Sequence, residues 1–151
     1  MRLINGMNRT YLSLLIVLTF FLSCEVKPVE INYGTDHCHF CKMTIVDRQH
    51  AAQMVTVKGR AYKYDAIECM MNASQSWEGP AIKYYLTNDY TNPGELIDAR
   101  NAAYLISESI PSPMGEFLSA FSSQLERDKI LDSAGGEALN WDQLQNEFRG
   151  N

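Results

Sequence analysis

The chain is 151 residues long, 46% hydrophobic and 21% charged, with a formal charge of −5. That length suits one ordinary domain or two very small subdomains and excludes two full ones. An acidic chain with a globular composition argues against a nucleic-acid partner and against intrinsic disorder, and leaves a cation as a compatible partner.

The first residues read as an export signal. Arg2 and Arg9 form a positive start, and Tyr11 to Leu22 is almost wholly apolar. As a helix this stretch would be roughly 18 Å long against about 30 Å of bilayer hydrocarbon, which is short for a span and suitable for a signal core. No later segment has the length and apolarity of a span. The run closes on Phe21-Leu22-Ser23-Cys24, a small residue before a cysteine, which resembles a lipobox with Phe21 in place of the usual leucine. The expectation is a signal peptide over 1–23, acylation of Cys24 and a lipidated tether over 24–34. An ordinary secretory signal leaving a free Cys24 is the alternative. Cleavage would remove Arg2 and Arg9, and −5 less those two positive charges leaves −7 on the mature chain. The chain would then be extracytoplasmic, on the periplasmic side, and held to a membrane by lipid.

With Cys24 acylated, Cys38, Cys41 and Cys69 remain. An odd number outside the cytosol is not a closed disulfide framework, so at least one thiol needs a metal-binding or redox explanation.

Along the mature chain, Thr44 to Asp47 is β-branched and reads as a strand, as does Ala51 to Val57. Lys58-Gly59 marks a turn into Arg60 to Tyr64, giving a hairpin with Met54 in the core and His50 facing solvent near it. Asp65 and Glu68 resemble a capping box opening a helix whose Ile67, Met70 and Met71 share a face and read as core residues. The helix fades at Ser74 to Ser76, and Ala81 to Leu86 is the next strand. Asn88 to Gly94 is rich in turn formers and divides the chain into halves over 35–92 and 93–151. The second half repeats the plan. Glu95 to Ala99, Ala102 to Ser107 and Met114 to Phe121 read as strands, Ser123 to Ser133 as a helix ended by Gly135-Gly136, Ala138 to Trp141 as a short strand, and Asp142 as the cap of a terminal helix. Strands and helices without regular βαβ alternation give an α+β fold of two small related halves.

The chemistry is concentrated in His37-Cys38-His39-Phe40-Cys41-Lys42-Met43, with Cys69-Met70-Met71 and Met114 as further sulfur sources. Thiolate and thioether are soft donors that favour Cu(I), and methionine sulfur needs no deprotonation and forms no disulfide. A lone Cys-x-x-Cys also admits other readings. A redox pair normally sits at a helix N-terminus, whereas a strand-like segment follows here. A zinc site would draw on Cys38, Cys41, Cys69 and a histidine. A structural disulfide is a further alternative. Covalent haem is excluded because Lys42, not histidine, follows the second cysteine.

His39-Phe40-Cys41-Lys42-Met43 resembles the motif core of the NosL family. Thr44-Ile45-Val46-Asp47, Ala51-Ala52-Gln53 and Tyr64 to Met70 are similar to members with a double-cysteine motif. Ala103 to Ile106, Ser112-Pro113-Met114-Gly115, Gly135-Gly136 and Ala138 to Trp141 continue the resemblance in order. It implies a lipoprotein of two related ββαβ halves that binds one Cu(I), without catalysis, and delivers it for maturation of nitrous oxide reductase or another copper enzyme. Carried onto this sequence, the resemblance implies Cys41, Met43 and Met114 as ligands and His39 as a motif position. Cys38 and Cys69 lie outside the motif core and would either add thiolates or supplant a ligand used elsewhere. The competing functions are a thiol-disulfide oxidoreductase supporting metal-site assembly and a structural zinc domain.

Overall fold

The computed structural model describes residues 25–149; the signal segment and Cys24 lie outside them. Among the described residues no helix is long and apolar enough to cross a membrane. The elements run β1 (Ala52–Thr56), β2 (Ala61–Tyr64), α1 (Ile67–Gln75), β3 (Ile82–Asp89), β4 (Asn92–Asp98), β5 (Ala103–Ile106), β6 (Leu118–Phe121), α2 (Gln124–Ala134), β7 (Glu137–Leu139) and α3 (Trp141–Arg149).

Two antiparallel sheets form, in the orders β2-β1-β3-β4 and β6-β5-β7. Each contains the same unit. A hairpin is followed by a helix, and the next strand returns to the free side of the hairpin's first strand, so that β2-β1-β3 matches β6-β5-β7. This is the α+β plan of two ββαβ units expected above, with β4 and α3 added.

β1 is the structural centre of the first sheet. It is paired on both sides, and all five of its residues are buried. Its Met54 stands opposite Tyr62 and Tyr85. The two sheets share one core, in which Met54, Tyr64, Ile67, Met70 and Met71 meet Tyr104, Leu118, Leu139, Leu144 and Phe148. Each such side chain contributes about 1.5–3 kcal/mol by leaving water. Trp141, opening α3, reaches the rings of Tyr85 and Tyr104 at 5.4 and 6.3 Å and so joins both sheets.

Several local expectations are corrected. Thr44 to Asp47 is not a strand but the return arm of a tight turn with one bridge, His37 to Thr44. The Asp47 carboxylate stops any extension by accepting the amides of Gln49 (2.6 Å) and His50 (3.1 Å). Asp65 does not cap α1: Ala66 holds that position without a side-chain bond. Glu68 is buried and turned away from the helix end, where it accepts the Ser112 hydroxyl and the Leu118 amide. His50 is also buried. Its ring lies between Asp47 (3.0 Å) and Ser119 of β6 (3.2 Å).

The turn formers of Asn88 to Gly94 do mark a reversal, but it is a tight hairpin. Asp89 holds it by accepting from the Thr91 amide and hydroxyl and the Asn92 amide group. Pro93 and Gly94 fall within β4, an edge strand where a missing N–H is tolerated. The first sheet therefore continues through Asp98, and the second begins at Ala103. Met114 to Phe117 forms a turn before β6, which starts only at Leu118. Asn140 caps α3 in place of Asp142, accepting the Gln143 amide at 2.9 Å.

Gly136 joins α2 to β7 at φ +121°, and a Cβ there would lie on the Ile106 carbonyl oxygen. Gly136→Ala is expected to destabilise the protein by about 2–4 kcal/mol through this collision and backbone strain. The measurement is urea unfolding. A wild-type midpoint would mean that the β5–β7 junction is not as rigid as its packing implies.

Candidate metal centre

Residues 36–45 form a compact knuckle. Ile45 donates its amide to the Asp36 carbonyl (2.9 Å), Cys38 to Met43 (2.8 Å) and Lys42 to Cys38 (3.1 Å). The chain reverses at Lys42, whose φ of +69° is left-handed and costs a non-glycine residue about 1–2 kcal/mol. The reversal brings the Cys41 amide to 3.4 Å from the Cys38 sulfur, where it donates.

The knuckle is fixed to the first sheet. His39 donates its amide to the Lys63 carbonyl of β2 at 2.8 Å, and the Lys63 ammonium bonds Asp36 at 2.5 Å. Two residues separate the end of β2 from α1, and Cys69 is the third residue of that helix. The β2–α1 corner thus sets Cys69 against the knuckle it also anchors. The sulfurs of Cys38, Cys41 and Cys69 lie within 4.8 Å of one another, and among the described residues this is the one convergent group of three or more metal-ligating Cys, His, Asp or Glu side chains. All three cysteines are free. Cys38 and Cys69 are fully buried and form the floor of the site, while Cys41 is partly exposed at its rim.

The electrostatics make the three thiols unequal. Cys38 is pulled well below the ordinary thiol range because Cys69 donates to it; burial opposes this, and the Asp65 and Cys41 amides add to the lowering. Cys69 is pushed far up by donating to Cys38 and by burial. Cys41 is raised by burial, with a smaller opposing bond from the Met43 amide. A metal that takes all three sulfurs displaces the protons that they carry. The flanking carboxyls of Asp65 and Glu68 are raised, chiefly by burial, and are held toward their neutral forms. What converges is sulfur alone, a donor set that suits a soft ion at low coordination number.

The remaining sequence candidates lie around this triangle. Met43, on the return arm of the knuckle, has an exposed side chain, as does Phe40. Met114 is partly buried against the shared core, in the turn before β6. His39 is outside the convergent group, with its ring edge-on to Tyr62 (4.7 Å) and Tyr64 (6.3 Å). Met70 and Met71 are core residues, as their helical spacing suggested. Sequence reasoning missed the Glu68–Ser112 bond between the site helix and the second half. Its one signal was an acidic residue on the apolar face of α1.

Fold and site together define a small two-sheet α+β protein with a sulfur-lined centre suited to a soft metal. The chain belongs to the NosL family, whose model matches residues 28–148. It is 23% identical over 128 residues to the copper-binding lipoprotein NosL of Stutzerimonas stutzeri, covering 80% of this chain and 67% of that protein. The crystal structure of the copper chaperone NosL from Shewanella denitrificans superposes with a TM-score of 0.69 at 19% identity, over 80% of this chain and 96% of the other. That likeness extends the fold assignment to nearly the whole of the solved chain.

The burial pattern sets a reactivity order. In reduced, metal-free protein, Cys41 should be alkylated by iodoacetamide at least about tenfold faster than Cys38 or Cys69, since access limits the buried pair. Peptide mass mapping measures it. Equal labelling of all three in the folded state would contradict the closed floor of the site.

Proposed function

We propose that the protein is a membrane-anchored Cu(I) chaperone that holds one ion at Cys38, Cys41 and Cys69 and passes it to an extracytoplasmic copper enzyme, nitrous oxide reductase or a relative. The observation that carries this reading is the convergence of three sulfurs of which one reaches the surface. Three thiolates satisfy Cu(I) without a fourth ligand, whereas structural zinc takes four. The family membership and the copper-binding names of the two relatives support the same ion.

Transfer follows from the exposure gradient. An incoming sulfur ligand attacks at Cys41, the one thiolate of the three at the rim, while Cys38 and Cys69 keep the ion until a second bond to the acceptor forms. Met43, exposed two residues on, provides a neutral thioether beside this exit and can bridge the exchange without a proton. Met114 supports the second-half turn from the core side and is assigned no bond to the ion at rest. The protein performs no chemical turnover. It binds, shields and releases.

Cys41→Ser, Cys38→Ser and Cys69→Ser should each weaken Cu(I) binding by more than the roughly 100-fold that outer-shell partners are worth. Met43→Leu and Met114→Leu keep volume and should leave affinity within about threefold, with stability changed by less than about 1.5 kcal/mol. Met43→Leu should slow copper release to a thiol chelator. Competition titration under oxygen-free conditions with a chromophoric Cu(I) chelator reads affinity and release together. Stoichiometric zinc in the isolated protein, not exchanged by Cu(I), would overturn the reading.

The anchor is proposed at Cys24. The six residues Glu25 to Glu30 that follow Cys24, at about 3.3–3.6 Å per residue, would keep the domain within roughly 20 Å of the bilayer. The Stutzerimonas relative is named a lipoprotein. Cys24→Ser should abolish the acyl mass and release the protein from membranes. A native wild-type protein that carries no acyl group would refute the anchor.

A further inference from the structure

We propose that the three-cysteine centre also takes trivalent arsenic, presented as arsenite, in direct competition with copper. The proposal rests on the three-cysteine reading of the site and extends it to a second class of ligand.

Trivalent arsenic forms a pyramidal compound with three thiolates on one side and its lone pair on the other. The site offers that arrangement. Three sulfurs lie within 4.8 Å of one another, none is tied up in a disulfide, and the convergent group contains no histidine or carboxylate. Two sulfurs are buried and form a floor, while Cys41 stands at the rim, so the lone pair can face outward. The knuckle and the corner at α1 already hold the thiols together. The second and third bonds therefore close within one molecule, which is the condition under which a multidentate ligand gains most.

The reaction is a condensation without redox change. Arsenite, as As(OH)3, meets the accessible Cys41 first. An S–As bond forms, an As–OH bond breaks, and the thiol proton leaves with the hydroxide as water. Cys38 and Cys69 repeat the step, giving three S–As bonds, three waters and arsenic still in the trivalent state. A two-thiolate adduct keeps one hydroxyl on arsenic and stays open to water, which can form a second As–OH bond, break an S–As bond and return a thiol. The third thiol removes that hydroxyl and places the arsenic on the buried floor.

The same chemistry separates this site from one completed by methionine. A thioether carries no proton to give to the leaving hydroxide and forms no stable bond to arsenite, although it binds Cu(I) well. A centre built from Cys41, Met43 and Met114 would accept copper and not arsenite.

The test uses the reduced full chain without metal. Arsenite is titrated under argon and followed by native mass spectrometry and by counting thiols with a disulfide reagent. The expected adduct adds one arsenic and loses three hydrogens, with three thiols protected together. Cys38→Ser, Cys41→Ser and Cys69→Ser should each weaken arsenite binding by about tenfold or more and leave a hydroxyl on the adduct. Met43→Leu and Met114→Leu should match wild type. Prior loading with one Cu(I) should exclude arsenite. A wild-type adduct that retains a hydroxyl, or no adduct at all, overturns the proposal. If that protein still binds one Cu(I), the copper function stands with a methionine-completed site. If it binds neither, both readings fall. The wild-type stoichiometry decides the matter even where a serine variant does not fold.

Discussion

The His39 amide bonded to the Lys63 carbonyl, with the Lys63 ammonium on Asp36, is the fastening on which the cysteine centre depends. Cys38 and Cys41 belong to a knuckle that precedes the first sheet, and Cys69 belongs to the helix that follows its hairpin. Nothing in the chain sequence alone brings them together. β2 does so, because one residue of that strand holds the knuckle from both its backbone and its side chain, while the strand's end launches α1. A backbone bond of this kind contributes about 0.5–1.5 kcal/mol, and the charge-assisted partner somewhat more. These are small amounts beside the core, yet they set the direction in which the sulfurs point.

The core supplies the rigidity that makes such small forces sufficient. β1 is buried along its whole length, and β2 is paired to it in register from Ala52–Tyr64 to Val55–Ala61. The second ββαβ unit then closes the other side of α1. Two polar stitches cross between the halves. His50, held by Asp47, reaches Ser119, and Glu68 reaches Ser112 and Leu118. Glu68 precedes Cys69, so the helix turn that carries the third sulfur is held by both halves of the protein. Buried polar groups of this kind specify one arrangement of packed elements more than they add stability.

The repeated plan was legible in the sequence because hairpin turns and strand alternation are local signals. Lys58-Gly59 and Gly135-Gly136 fall where the structure turns, and Ile67, Met70 and Met71 lie on the buried face their spacing assigned. What misled the reading was competition for the same polar side chains. Asp65, Glu68 and Asp142 fit capping patterns, but Glu68 is drawn to Ser112 across the fold, and Asn140 reaches the α3 amide first. His50 looked solvent-facing because its partner Ser119 is far along the chain. Of the site, Cys38 and Cys41 were legible as a pair from their spacing. Cys69 was a candidate as a further sulfur source, but its convergence with the pair was not legible, since it depends on how a helix after one strand sits against a turn before another. Met43 and Met114 were legible as sulfur sources, and their ligand roles entered through family resemblance. Met43 is exposed, and Met114 is packed against the core.

The proposed centre holds the ion by three cysteine sulfurs and by no methionine. Copper K-edge X-ray absorption on protein labelled with selenomethionine and loaded with one Cu(I) separates the two directly, because selenium and sulfur scatter differently. The account predicts a first shell of three sulfurs with no selenium. A selenium neighbour at bonding distance, or a shell completed by imidazole nitrogen, would contradict it.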